Sequence, residues 1–152
     1  MRFHLIDRID GWEAGRRISG RKVTSAAEEF WRPGAGGPVM PRPLVLEALC
    51  QAGTWLVMLS TDYRRRAALL SLGAVTFGPD VRPGDVLSLD ARITSMTDDA
   101  AMIDGTVRVG DEIVLGASDI MCSLLDAATL DDPGGSRRMG TALLGGTPVG
   151  AR

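Results

Sequence analysis

Polar and hydrophobic positions alternate on both sides of a continuous apolar run near the middle of the chain. The alternation predicts strands over Phe3 to Ile9 and over Arg17 to Thr24, with a turn at Asp10 to Gly15 between them. Residues Trp31 to Pro43 contain four prolines and three glycines, which predicts an irregular loop held in specific backbone conformations. The first part of the chain is therefore expected to be a strand pair followed by a loop.

The apolar run predicts one helix from Pro43 to about Tyr63. Proline suits a first helical turn, because the amide hydrogen that it lacks would have no partner there. Leucine, valine and tryptophan occupy nearly every face, so the helix is expected to be buried all round. A membrane span of this length would have to carry the Glu47 carboxylate, which is costly. A core helix is the favoured interpretation.

Four further strands are predicted after the helix, at Leu69 to Phe77, Val86 to Met96, Ala101 to Val109 and Ile113 to Leu124. Short turns join them, which is typical of an antiparallel meander. From Asp126 onward the sequence is rich in small residues and has no sustained period. We therefore expect a folded domain over residues 1–125 and a flexible Gly-rich tail over residues 126–152.

This order of elements predicts an α+β hotdog fold. One helix cannot bury all its faces against a flat sheet, but a curved antiparallel sheet can wrap around it. Such a sheet keeps an open edge, and open edges pair readily with other strands. A dimer is therefore expected.

Composition narrows the function classes. A chain of 152 residues suits one domain, and a net charge of -2 with 5% aromatic residues gives no case for nucleic-acid binding. Cys50 and Cys122 belong to no CxxC pair, so no zinc site is expected, and buried thiols in a reducing compartment are the favoured interpretation. The first residues lack an apolar run of signal-peptide length, so a cytoplasmic location is expected.

Glu47 is the candidate for chemistry, because it lies near the start of the predicted helix among apolar residues. An ionised carboxylate in an apolar site is costly, so burial should favour the protonated form, which suits a general acid. The alternative is a structural carboxyl that bonds Gln51 or a loop amide. The residues themselves leave both open.

The stretch "PVMPRPLVLEALCQAG" resembles a motif of the 3-hydroxyacyl-(acyl-carrier-protein) dehydratases of the bacterial fatty-acid type, "GHFPG-x-P-x-MPG-x-L-x-x-E-A-x-x-Q". The matching positions are Pro38, Met40, Pro41, Leu44, Glu47, Ala48 and Gln51. The segments "FHLIDRIDGWEAG", "VTFGPDVRPGDVLSLDARI" and "ASDIMCSL" also resemble strands of that family. The likeness covers roughly Phe3 to Leu125.

The resemblance implies loss of water from a 3-hydroxyacyl thioester on an acyl carrier protein, giving a trans-2-enoyl thioester without a cofactor. In the family, a histidine of the "GHFPG" loop takes the α-proton, and a carboxylate on the other protomer's central helix handles the departing hydroxyl. A backbone amide holds the thioester oxygen. Glu47 matches the carboxylate and Arg42 takes the place of the residue with that amide. Gln51 is expected to be a substrate-binding neighbour.

The family histidine has no counterpart in this chain. Pro33 or a neighbouring glycine falls in its place, and neither can take a proton. The single histidine of the chain, His4, lies in the first predicted strand, where it is interpreted as a residue without chemistry. A half-complete site of this kind would suit a heterodimer in which a second subunit supplies the histidine.

Three functions remain open. The first is a dehydratase-type protein, as a homodimer or as half of a mixed dimer. The second is a hotdog thioesterase that uses Glu47 alone, and the third is a non-catalytic subunit that binds acyl chains or a synthase partner. Leu44, Leu72 and Val75 are candidate lining for an acyl tunnel, although core packing is the favoured role of each.

A basic run follows the helix. Arg64, Arg65 and Arg66 are expected either to cap the negative end of the helix dipole or to contact an acidic carrier protein.

Overall fold

The structure, a computed structural model, describes residues 3–145. In chain order its elements are β1 (Arg8–Glu13), β2 (Arg17–Val23), β3 (Arg32–Gly34), β4 (Gly37–Val39), α1 (Arg42–Ser60), β5 (Arg65–Ser71), β6 (Ala74–Phe77), β7 (Val86–Met96), β8 (Ala100–Val109), β9 (Glu112–Asp126), a 3-10 turn (Ala127–Thr129) and α2 (Pro133–Leu143). The bounds of β7 are those predicted, and β8 differs by one residue.

A single antiparallel sheet wraps around α1. Its strand order is β1-β2-β7-β8-β9-β5, with β6 also paired to β9. The helix contacts β1, β2, β5, β7, β8 and β9, and Leu49 and Leu56 are fully buried between them. The predicted hotdog arrangement is confirmed. Within the described residues α1 has the length and apolarity of a membrane span, yet half of that window is buried in the core.

The first hairpin lies further along the chain than predicted. β1 runs through Trp12, which pairs with Ile18, so the expected turn at Asp10 to Gly15 is shorter. A bulge between Ile9 and Gly11 breaks the alternation and hides the continuation of the strand. Gly15 makes the turn with a φ of 69°, a conformation that favours glycine.

The proline-rich loop contains a small hairpin that the sequence did not predict, formed by β3 and β4. Two glycines with positive φ, Gly36 and Gly37, reverse the chain. The guanidinium of Arg82 donates to the carbonyl of Ala35 at 2.6 Å and to that of Gly37 at 3.3 Å. The hairpin is thereby tied to the turn that precedes β7.

The chain leaves α1 through two residues in the left-handed region, Asp62 with a φ of 49° and Tyr63 with a φ of 61°. The amide of Tyr63 donates to the carbonyl of Met58 at 2.7 Å. The arginine run therefore does not end the helix, because Arg65 and Arg66 already belong to β5. The single strand predicted over Leu69 to Phe77 is split into β5 and β6.

The expectation of a flexible Gly-rich tail over residues 126–152 needs correction over 127–143, where the structure has a 3-10 turn and α2. The Asp132 carboxylate caps α2 by accepting from the amides of Gly134 and Gly135 at 3.1 and 3.0 Å. Leu143 is buried in the core. Residues 146–152 lie outside the described part, and the boundary at residue 125 stays a prediction.

The chain contains one lysine, Lys22, and its side chain is only 7% exposed. Its ammonium lies 2.8 Å from a carboxylate oxygen of Glu28 and 3.4 Å from one of Asp7. Buried charges need such partners. The pairs join β2 to the loop that leads into β3 and to the residue before β1.

Candidate active site

Glu47 lies in the second turn of α1, and its side chain is half-buried. Cys50, Gln51 and Thr54 lie on the same face and are also half-buried. The sequence led us to expect a carboxyl enclosed by apolar residues. The structure instead leaves the carboxyl half-exposed, so that a ligand can reach it.

Gln51 connects Glu47 to the first described residues. Its side-chain nitrogen donates to a carboxylate oxygen of Glu47 at 3.0 Å and to the carbonyl of Phe3 at 3.1 Å. Its side-chain oxygen accepts from the amide of Leu5 at 2.8 Å. The alternative in which Glu47 bonds Gln51 is thus present in the structure, and it orients the carboxyl without enclosing it.

Arg42 is the first residue of α1, where backbone amides have no acceptor within the helix. The next amides, those of Leu44 and Val45, donate back to the carbonyl of Pro41 at 2.9 and 3.3 Å. Among the described residues the amide of Arg42 has no acceptor, and Pro43 carries no amide hydrogen. This end of the helix therefore offers one unused donor at the positive end of the dipole.

The Arg42 side chain leans away along β6. Its guanidinium carbon lies 5.3 Å from the centre of the Phe77 ring, and a guanidinium nitrogen lies 4.0 Å from a carboxylate oxygen of Asp80.

The β3–β4 hairpin supplies no proton acceptor. Its side chains over residues 32–39 are those of arginine, proline, glycine, alanine and valine. Pro33, the residue aligned with the family histidine, is exposed on β3. The hairpin therefore contains no side chain that could act as a base.

A small cavity of about 30 Å³ lies one turn beyond Glu47. Its lining comes from α1, β5, β8 and β9, and consists of Leu49, Cys50, Gly53, Thr54, Ala67, Leu69, Ile103, Ile120 and Cys122. None of the predicted tunnel residues Leu44, Leu72 and Val75 lines it. Sequence reasoning missed this lining because it brings together residues from four separate elements.

Both thiols at this cavity are poor nucleophiles. Burial first, and then the nearby charge of Glu47 and the Cys122 thiol, together raise the pKa of Cys50 to about 12. Burial also raises the pKa of Cys122. Both are free cysteines and stay protonated near neutral pH, so neither competes with Glu47 as a reacting group.

The basic run lies at the far end of α1. Glu47 and the helix end at Ser60 are separated by about 20 Å at 1.5 Å per residue. The guanidinium of Arg64 donates to the carbonyl of Thr61, and Arg66 forms an ion pair with Asp131. The structure does not bring this run together with Glu47.

A larger depression of about 1100 Å³ lies on the outer face of the sheet. It is lined by polar and small residues of β1, β2 and β6 to β9, among them Asp90, Arg92 and Asp104. It contains none of the predicted site residues, so we place the chemistry at Glu47. Among residues 3–145 no cluster of three or more potential ligands is arranged to hold a metal ion.

The profile of the FabA-like domain matches residues 1–118. The chain belongs to the FabA-like family. It is 36% identical over 113 residues to the 3-hydroxyacyl-(acyl-carrier-protein) dehydratase FabZ of Moorella thermoacetica, covering 73% of this chain and 79% of that one. The FabZ of Symbiobacterium thermophilum is 33% identical over 129 residues, which is 84% of this chain and 90% of the relative.

Solved structures share the fold of this FabA-like chain. An uncharacterized protein from Pyrococcus horikoshii matches with a TM-score of 0.64 at 20% identity, covering 84% of this chain and 89% of that one. A Streptococcus mutans protein solved with acetyl-CoA matches with a TM-score of 0.62 at 16% identity, over 83% and 92%. At these identities the likeness supports the hotdog fold alone. Together the comparisons indicate a hotdog protein of the acyl-thioester type.

Proposed function

We propose that this protein dehydrates 3-hydroxyacyl thioesters in fatty-acid or polyketide-type biosynthesis. The observation that carries the proposal is the pairing, at one end of α1, of an accessible carboxyl on Glu47 with an unused amide on Arg42. A proton donor and an oxyanion donor at the same helix end are what an elimination beside a thioester carbonyl requires.

The chemistry follows from that geometry. The Arg42 amide and the positive helix end stabilise charge on the thioester oxygen while a base takes the α-proton and the electrons of that C–H bond form the double bond to the β-carbon. Glu47 gives a proton to the departing 3-hydroxyl so that it leaves as water. Gln51 holds the Glu47 carboxyl through its side-chain nitrogen and so limits the orientations that the acid can adopt. The acyl chain would point toward the small cavity beside Cys50.

The open edge of the sheet is the expected place for a second subunit. Leu69, Leu70, Leu72 and Phe77 are large apolar residues of β5, β6 and their connection, and each is more than a third exposed. Strand edges and exposed apolar patches of this kind favour association. The partner is either a second copy or a related subunit that carries the family histidine, and the location is the cytoplasm.

The substrate is proposed to arrive as a thioester of an acyl carrier protein or of coenzyme A. If a carrier protein binds at Arg64, Arg65 and Arg66, the surface that it presents to them should be acidic. Because Arg66 already has an acidic partner in Asp131, Arg64 and Arg65 are the stronger candidates for contact.

A test separates dehydration from the alternatives. The purified protein is incubated with 3-hydroxybutyryl-carrier-protein and the acyl species are followed by intact mass. Loss of one water from the acyl group supports the proposal. Release of free acid identifies a thioesterase. A substrate that binds and stays unchanged points to a non-catalytic role or to a missing subunit that supplies the histidine.

The thioesterase remains the second candidate because of the hairpin at residues 32–39, which carries no proton acceptor. A single carboxylate can activate water for attack on a thioester, so hydrolysis needs no second base. In that case Glu47 would be the base, and the Arg42 amide would stabilise the tetrahedral oxyanion.

A further inference from the structure

We propose that His4, the single histidine of the chain, is the base that works with Glu47 of the same chain. The inference rests on the proposed dehydratase function and supplies the group that the β3–β4 hairpin lacks.

The backbone around His4 is fixed beside Glu47. The residues before and after it, Phe3 and Leu5, both bond the side-chain amide of Gln51, at 3.1 and 2.8 Å. The same amide nitrogen donates to Glu47 at 3.0 Å. The Gln51 side chain therefore links the two neighbours of His4 to the carboxyl, although Leu5 and Phe3 lie 46 and 48 positions from Gln51 in the sequence.

The segment is anchored while the imidazole stays accessible. Leu5 and Ile6 are each 3% exposed and pack into the core, and the amide of Asp7 donates to the carbonyl of Arg21 at 2.8 Å. His4 itself is exposed. An accessible side chain on a fixed backbone is suited to meet a substrate that enters over Glu47.

The other groups near Glu47 do not serve as bases. Cys50 stays protonated, because burial and the charge of Glu47 raise its pKa to about 12. Arg42 is a cation, and Gln51 does not titrate. An imidazole ring carries a nitrogen lone pair that can accept a proton, which is what a general base requires.

The step balances within this pair. The neutral imidazole of His4 takes the α-proton, and the electrons of that C–H bond form the double bond to the β-carbon. The β-carbon–oxygen bond breaks, and Glu47 gives its proton to the hydroxyl, which leaves as water. The imidazolium and the carboxylate then exchange a proton through solvent, and both return to their starting forms.

The test compares His4→Ala, His4→Gln and the control Arg8→Gln, all in the full chain, with 3-hydroxybutyryl-carrier-protein as the probe. Arg8 is an exposed residue a few positions along the same segment, and its side chain pairs with Asp10 away from Glu47. We expect kcat to fall about 10²- to 10⁴-fold in both His4 variants, the range for loss of a general base. Arg8→Gln should keep wild-type kcat.

Free imidazole gives the decisive readout. Added imidazole should restore turnover to His4→Ala in proportion to its concentration and leave wild type unchanged. Full activity in His4→Ala, or a loss that imidazole does not restore, overturns the assignment. If that happens while Glu47→Gln is inactive, the dehydratase function stands. A wild-type protein without turnover overturns both the assignment and the function.

A mixing experiment tests the same-chain pairing. His4→Ala and Glu47→Gln proteins are unfolded together, refolded and assayed. If the pair acts within one chain, the mixture stays as inactive as its components. Regained turnover would place the two groups on different chains and overturn the pairing.

Discussion

The two ends of α1 differ in how far the rest of the chain covers them. At its N-terminal end the Arg42 amide has no acceptor among the described residues, and the Glu47 carboxyl is half-open. At its C-terminal end α2 closes over the chain. There the Arg137 guanidinium lies 4.7 Å from the centre of the Tyr63 ring and bonds the Asp62 carboxylate at 2.9 Å. One end of the helix is left available and the other is covered.

This difference separates function from stability along a single helix. A solvent-accessible donor or carboxyl adds little to the stability of the fold, because water satisfies it until a ligand binds. A capped and covered helix end instead ties the chain together. Substitutions at the two ends should therefore have different effects, and the following predictions test that division.

The largest effect is expected at the open end. Glu47→Gln should lower kcat for dehydration about 10²- to 10⁴-fold, because a proton donor is lost while a side chain of similar shape remains. The thermal midpoint should change little, since glutamine can still bond Gln51. Steady-state kinetics and calorimetry measure the two quantities. Wild-type turnover in this variant would remove Glu47 from the site.

The next effect concerns the sheet edge beside that end. Leu70 is 62% exposed on β5 in the single chain. Leu70→Asp should weaken self-association about tenfold or more, because it places a charge where the proposed dimer would bury an apolar side chain. Sedimentation at several concentrations measures it. The control is Leu130→Asp, which changes a leucine that is 52% exposed beyond that edge. Equal behaviour of the two variants would contradict dimerisation through β5.

At the closed end the effect should appear in stability alone. A Cβ at Gly140 would overlap the Tyr63 hydroxyl, so Gly140→Ala should destabilise the fold by about 1–3 kcal/mol while kcat of the folded protein stays unchanged. Urea unfolding measures the loss. Gly116→Ala is the control, because a Cβ there meets nothing within 4 Å. If kcat of the folded Gly140→Ala protein fell along with its stability, function and stability would not be divided between the two ends of α1.

The smallest effect is a pH dependence at the same end. Arg137 holds the pKa of Asp62 below its usual range, through a hydrogen bond first and its charge second. The folded-state pKa lies below the unfolded value, so this stabilisation is present above about pH 4 and is lost as the pH falls further. Asp62→Asn should therefore be less stable than wild type at pH 6, with a smaller difference at pH 2. The urea midpoints of the variant and of wild type at both pH values measure this difference. If the difference in midpoint were the same at both pH values, the Asp62–Arg137 pair would be excluded as its cause.

The parts of the fold that sequence predicted best are those with a regular period. The apolar run gave α1 to within a residue at its start, and alternation gave the full extent of β7. The β1 strand was displaced because the bulge at Ile9 and Gly11 interrupts the alternation. The α2 helix was missed because three glycines lower its propensity, although Asp132 followed by Pro133 is a signal for a helix start.

The sequence predicted only those contacts of the candidate site that join residues close together in the chain. Glu47 and Gln51 lie one helical turn apart, so their bond could be expected from spacing. The link from Gln51 to Phe3 and Leu5 joins residues far apart in sequence, and no periodicity encodes it. That is why the sequence alone left His4 as a strand residue.

The lone lysine has a practical consequence. Reagents that acylate side-chain amines have one lysine to find in this chain, and that amine is enclosed by Glu28 and Asp7. Its labelling rate should therefore follow the opening of the loop that precedes β3, as hydrogen exchange follows local unfolding. The rate at which that lysine gains its single mass increment would thus report how often the chain opens near the β3–β4 hairpin.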